Sequence, residues 1–257
     1  MLLILMSVSF NFAQASNIQN NKETILALGM EMSNMRNMLK AYILIGLKQK
    51  YKNPSKKLQE GIVGYEKLLE TLNDNYSDLV MKESIQRSYD AWEHVHNAMK
   101  LALSGANLSE MRKGAIFIHG NIRTVIKELA LMKKHLLDNS TIGDKKALDA
   151  SIEIAASARR LSAHYMMKQW ELNDPTIEKH WKKGLSIYGT SLDILKTSPY
   201  MFNKKFSILW NKCKKHHTYF KKMWTKRKHY SILIDKKAEK VFLDAQEMTR
   251  IILNTAK

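Results

Sequence analysis

Arg159 and Arg160 follow the small-residue run Ala155-Ala156-Ser157-Ala158, where short side chains would let another helix or a ligand come close. Arginine presents a planar fork of donors suited to nitrate or a carboxylate, so this segment is a candidate anion site. The competing reading is a pair of ordinary solvated or bundle-edge guanidiniums. Met30, Met32, Met35 and Met38 form a second cluster, and thioethers can hold Cu(I). Met32 and Met35, however, fall in register with Ile25, Leu28 and Leu39, where flexible core methionine belongs. Cys213, His216 and His217 share a helical face at i, i+3 and i+4, a spacing that can hold a metal. No acidic residue lies between Asn203 and Ile234, so any cation there meets a strongly positive field. Core positions are the stronger reading for Cys213 and His217, and no metal is assigned.

The strongest charge feature surrounds those residues. Lys204, Lys205, Lys212, Lys214, Lys215, Lys221, Lys222, Lys226, Arg227 and Lys228 flank an aromatic stripe of Phe206, Trp210, Phe220 and Trp224. In a cytoplasmic chain this would suggest nucleic acid. In a secreted chain it suggests anionic lipid, lipopolysaccharide or an acidic partner, against a plain solvated lysine face. No GxSxG, HExxH or glycine-rich phosphate loop occurs, so neither catalysis nor a cofactor is expected.

The elements that position these groups are legible from composition. The 257 residues include only ten glycines and three prolines, which argues against turn-rich sandwiches and barrels. One cysteine excludes an internal disulfide framework. Forty-two Lys+Arg against 24 Asp+Glu give a net charge of +18, which draws the chain towards anions. The apolar opening MLLILMSVSFNF, followed by Ala13-Gln14-Ala15, has the form of a signal peptide. The expectation is cleavage after Ala15, a mature start at Ser16 and a periplasmic location.

From Asn21 onward, apolar residues recur at alternating steps of three and four, the helical period. Eight helices are predicted, the fifth over about residues 145–172, with Asp174 as N-cap and Pro175 at N1 of the sixth. Residues 139–144 form the loosest break, and after it the order repeats. Tyr65, Leu69 and Leu72 on the second helix align without a gap with Tyr188, Leu192 and Leu195 on the sixth. The expected fold is all-α: tandem up-down four-helix bundles from an internal duplication, over residues 16–140 and 141–257 after a signal peptide at 1–15.

The first helix reads Leu28-Gly29-Met30-Glu31-Met32-Ser33-Asn34-Met35-Arg36-Asn37-Met38-Leu39-Lys40-Ala41-Tyr42. It resembles the AGRQRMLSQRMAKAY stretch that opens the N-terminal domain of type IV pili methyl-accepting chemotaxis transducers, the PilJ-type domain, related to nitrate-sensing kinase ectodomains. Gly29, Met38, Lys40, Ala41 and Tyr42 match that pattern, and Arg159-Arg160-Leu161-Ser162-Ala163-His164 resembles its RMLSQR portion. The resemblance implies a helical sensory domain binding a small anion where two equivalent helices meet. Arg159 occupies the family's ligand position in the second copy, and Met32 replaces it in the first. The motif's second arginine is Asn37 in one copy and His164 in the other. Arg36 lies one residue away, about 100° round the helix. The implied ligand residues are Arg159, Arg160, Ser162, His164 and Arg36, with dependence mainly on Arg159.

The family continues into a membrane span and a signalling output, so a chain without them is expected to report by docking on another protein. The leading expectation is a non-enzymatic periplasmic sensory module. Its candidate partners are a small anion, a membrane-bound signalling protein or acidic envelope partner, and a second copy of the chain; nucleic acid is not expected if the protein is secreted. The alternatives are an envelope interaction protein using the basic seventh helix and a copper-binding protein using the methionines.

Overall fold

A computed structural model describes residues 21–226 and 230–255. The expected cleavage site, Arg227 and Lys228 lie outside that range. The described chain is all-helical and contains no strand: α1 (Asn21–Gly46), α2 (Pro54–Asn75), α3 (Leu79–Leu103), α4 (Leu108–Asp138), α5 (Lys145–Gln169), α6 (Thr176–Lys196), α7 (Lys204–Met223) and α8 (Ser231–Thr255), with a 3₁₀ turn at Pro199–Phe202. No described helix is long and apolar enough to cross a membrane.

The starts follow from local chemistry. Side-chain oxygens of Asn53, Asp78, Asp144 and Asn203 accept from the freed N–H groups of α2, α3, α5 and α7. Asn107 and Glu110 form a reciprocal capping box on α4. Two boundaries differ from expectation. Helix α5 stops at Gln169 because the chain turns through Glu171 at φ 54°. Helix α6 begins at Thr176, with Pro175 rather than Asp174 at the N-cap, and Asp174 Oδ1 accepts from Thr176 N at 2.8 Å and Oγ1 at 2.7 Å.

Helix α1 packs on α2 and α4, and α3 packs on α2 and α4; α5, α6, α7 and α8 repeat that cyclic order. The two sets meet along α1 and α5. Those two helices are therefore covered on nearly every side, while the others bury one stripe. Tyr65, Leu69 and Leu72 are buried, as are their aligned counterparts Tyr188, Leu192 and Leu195. Trp92 and Trp210 are buried inside helices α3 and α7. One apolar core runs through both sets.

Close approach of α1 and α5 depends on small residues. Ser33 Oγ donates to Ala155 O at 3.2 Å, and a Cβ at Gly29 would lie 2.7 Å from Ile152 Cγ2. Gly29→Ala should therefore destabilise by about 1–3 kcal/mol through overpacking, outweighing the helix preference for alanine. Gly120, exposed on α4 with open space around its Cα, should show the opposite sign: Gly120→Ala gains about 0.5–1 kcal/mol. Urea denaturation of the two variants checks both.

Inside the first set, Glu31 is buried, with Asn34 Nδ2 donating to Oε2 at 3.2 Å and no hydrogen-bond partner for Oε1 among the described residues. Burial raises its pKa from 4.5 to about 7, against a smaller opposing effect of Asn34. Between those values the folded chain holds a proton that the unfolded chain releases. The stabilisation is fully present below pH 4.5 and is lost as pH rises to about 7. The total is on the order of 3 kcal/mol at about 1.4 kcal/mol per unit. Glu31→Gln should flatten that slope in denaturation curves taken between pH 4.5 and 7.5; an unchanged slope would assign it elsewhere.

Candidate functional site

Where α1, α4, α5 and α6 converge, a cavity of about 270 Å³ opens to the surface. Helix α1 contributes Arg36 and Leu39; α4 contributes His119, Ile122, Arg123, Ile126, Lys127 and Ala130; α5 contributes Arg160, Ala163 and His164; and α6 contributes His180 and Lys183. Its lining holds five permanent cations and three imidazoles, but no carboxylate, serine or cysteine. Such a lining concentrates positive charge, which attracts anions.

The central cation is Arg36, only 7% exposed. Its NH1 donates to Met32 O at 3.2 Å and to Ala156 O at 3.4 Å. Burial and then the neighbouring Arg160 push its pKa down, and Glu153 partly opposes this. Arg160 is half-buried and is itself pushed down by burial. Neither arginine forms an ion pair among the described residues. Gly184 of α6 makes room for the Arg160 side chain, since a Cβ there would lie 3.1 Å from Arg160 Cδ. Arg123, Lys127 and Lys183 are exposed at the rim.

Three histidines complete one wall. His119 and His164 are buried and His180 is half-buried, with one ring nitrogen of each within 4.8 Å of the others. His119 Nδ1 meets Asp174 Oδ2 at 2.8 Å, and its Nε2 meets His164 Nε2 at 3.1 Å. Arg123 NH1 reaches His180 Nε2 at 2.9 Å. Burial is the first cause of a lowered pKa in all three, to about 4 for His180 and well below the ordinary value for His164. Burial therefore favours the neutral imidazole, which carries a ring lone pair, in all three.

Three of the five residues expected at a ligand site, Arg36, Arg160 and His164, meet in this cavity. Arg159 and Ser162 point elsewhere. Arg159 NH2 pairs with Glu239 Oε1 at 3.3 Å and its guanidinium lies 4.1 Å from the Phe242 ring centroid, both on α8. Ser162 Oγ donates to Asp235 Oδ1 at 3.3 Å. The reason is rotation: consecutive residues diverge by about 100°, so α5 sends Arg159 towards α8 and Arg160 towards α6. Arg159 therefore does not line this cavity, whereas Arg160 and Arg36 do. Met32, opposite in role to Arg159 by alignment, is buried in the core.

Sequence reasoning missed His119, Arg123, Lys127, His180 and Lys183. His119 and His180 lie 45 and 16 residues from His164, with no local spacing to link them. The available signal was a polar side chain on or beside an apolar stripe: His119 adjoins Ile118, and His180 adjoins Trp181.

The remaining candidates settle into packing roles. Met30, Met32, Met35 and Met38 are all buried in the core. Cys213 is fully buried, which pushes its thiol pKa up. His217 Nε2 lies 3.0 Å from Leu185 O. On α7, Phe206, Trp210 and Phe220 face inward while the lysines are exposed, with Lys205 paired to Glu247 at 2.5 Å. Comparisons of the chain with family models, curated proteins and solved structures gave no match.

A buried cation without a counter-charge costs stability that a bound anion would restore. Arg36→Met, similar in length and uncharged, should therefore stabilise the protein in anion-free buffer, on the order of 1–4 kcal/mol. Denaturation in a buffer of large, weakly binding anions checks this. A loss of stability would mean that Arg36 is already compensated within the fold.

Proposed function

We propose that this chain is a helical anion-binding module of PilJ type, acting in the periplasm after removal of residues 1–15 and reporting occupancy to a signalling protein. The observation that carries the reading is the convergence of Arg36 and Arg160, from the two mutually packed helices α1 and α5, on one cavity without an ion-pair partner for either. These are also the two helices that resemble the family's motif. The repeated packing order supports descent of the two four-helix units from one duplicated ancestor. A planar or tetrahedral oxyanion, or the carboxylate of a small organic acid, suits paired guanidiniums. Leu39, Ile122 and Ile126 offer an apolar wall to whatever carbon the ligand carries.

The exposed lysines of α7 favour a second reading, docking on an acidic envelope partner, and both surfaces can operate in one protein. The copper reading is the weaker one, since all four clustered methionines serve as core.

The test is calorimetry and thermal shift of the mature chain with nitrate, nitrite and small mono- and dicarboxylates. An anion at 100 times its dissociation constant should stabilise by about 2.7 kcal/mol. Arg160→Ala and Arg36→Ala should each weaken binding by about 1.5–3 kcal/mol for every charged hydrogen bond lost. Arg159→Ala should leave affinity intact and cost stability through its buried pair with Glu239. Loss of affinity in Arg159→Ala alone would move the site to the α5/α8 face, and absence of any binding would leave the docking reading.

A further inference from the structure

Two buried polar contacts elsewhere in the fold join complementary groups: Lys40 Nζ donates to Asp235 Oδ1 at 2.6 Å, and Ser151 Oγ lies 2.8 Å from Thr249 Oγ1. The histidine wall is different. Asp174 Oδ2 accepts from Nδ1–H of His119, which turns the Nε2 lone pair of His119 towards His164. His164 Nε2 lies directly opposite, 3.1 Å away. Within the protein alone that contact is satisfied only if His164 donates from Nε2, and its buried Nδ1 is then an acceptor with no partner among the described residues. Either tautomer leaves at least one polar atom unmet.

A cation between the two nitrogens resolves the Nε2···Nε2 contact. Tetrahedral metal–nitrogen bonds of about 2.0–2.1 Å place neighbouring ligand nitrogens about 3.3–3.4 Å apart, close to the separation found here. A third imidazole, His180, already lies within reach, and the Asp174–His119 contact is the carboxylate–histidine arrangement that fixes a ligating ring. We propose that His119, His164 and His180 bind a divalent transition metal of the zinc class, with Asp174 orienting His119 and the fourth coordination position open to the cavity.

Arg36 and Arg160 stand beside this position, and Arg123 donates to His180 Nε2 at 2.9 Å. Their charge opposes a bare dication and favours one that carries an anion as its fourth ligand. Metal and anion therefore bind with positive coupling, each tightening the other by the same factor. The coupling rests on the anion reading above; the three-histidine site does not. Arg123 is exposed, so its guanidinium can move into solvent when a metal binds His180.

The experiment uses the mature chain, stripped with a chelator and titrated first with Zn²⁺ in anion-poor buffer and then with Co²⁺. The expected result is one high-affinity Zn²⁺ per chain and the intense visible absorption of four-coordinate Co²⁺. His180→Ala, at the half-buried rim and compatible with folding, should weaken Zn²⁺ binding at least 100-fold, and Asp174→Asn by 10- to 100-fold, as loss of an orienting carboxylate does. Arg123→Ala should tighten the metal while weakening any anion. His216→Ala on α7 should change neither. Absence of one-to-one binding, or binding that survives His180→Ala and disappears with His216→Ala, overturns the site even if anions still bind. Metal binding without an anion effect in either direction upholds the three-histidine site and overturns the coupling.

Discussion

Helices α1 and α5 are enclosed on nearly all sides, and every polar group on them must find its partner inside the protein or bear the cost of having none. That constraint organises the molecule. Small residues at Gly29, Ser33, Ala155 and Ala156 bring the two backbones close, and closeness removes water from everything that projects from the seam. Lysine and arginine here cannot behave as solvated surface groups. Their positions become specific, and each has to be accounted for by a neighbouring helix.

The accounting differs on the two sides of the seam. Towards α8, Lys40 and Arg159 meet Asp235 and Glu239, and Ser162 adds a hydrogen bond to Asp235. Those carboxylates keep pKa values below the ordinary range although burial alone would raise them, because Lys40 and Arg159 lie against them. Towards α4 and α6, Arg36 and Arg160 meet imidazoles, rim cations and main-chain carbonyls. A core that pairs its charges on one side and leaves them unpaired on the other carries a directed charge deficit, and the proposed binding site rests on that asymmetry.

Most of the fold was legible because it rests on period. Apolar spacing located all eight helices, and the polar break at residues 139–144 separated the fourth from the fifth. Helix ends were read less well, since the stop of α5 depends on a left-handed Glu171 that no apolar pattern announces. The site was legible in part. Arg160, His164 and Arg36 were visible because each lies near a recognisable helical motif. The choice between Arg159 and Arg160 was not, because it depends on which side of α5 receives α8 and which receives α6. Arg36 was named a ligand residue despite its one-residue offset from the motif, and the seam between α1 and α5 brings it to the cavity. His119 and His180 join the site only through tertiary packing, to which a one-dimensional pattern is blind.

The apolar core that passes without interruption from α2 and α3 through the seam to α7 and α8 has a consequence for how the molecule comes apart. If α5 were to leave α1, both helices would expose apolar flanks that no other element covers, so neither half has an inexpensive way to open alone. Unfolding should be a single cooperative event spanning the entire described chain, in which hydrogen exchange at the α1 and α5 amides reports global stability and only the outer turns of α2, α3, α6 and α7 exchange by local fraying.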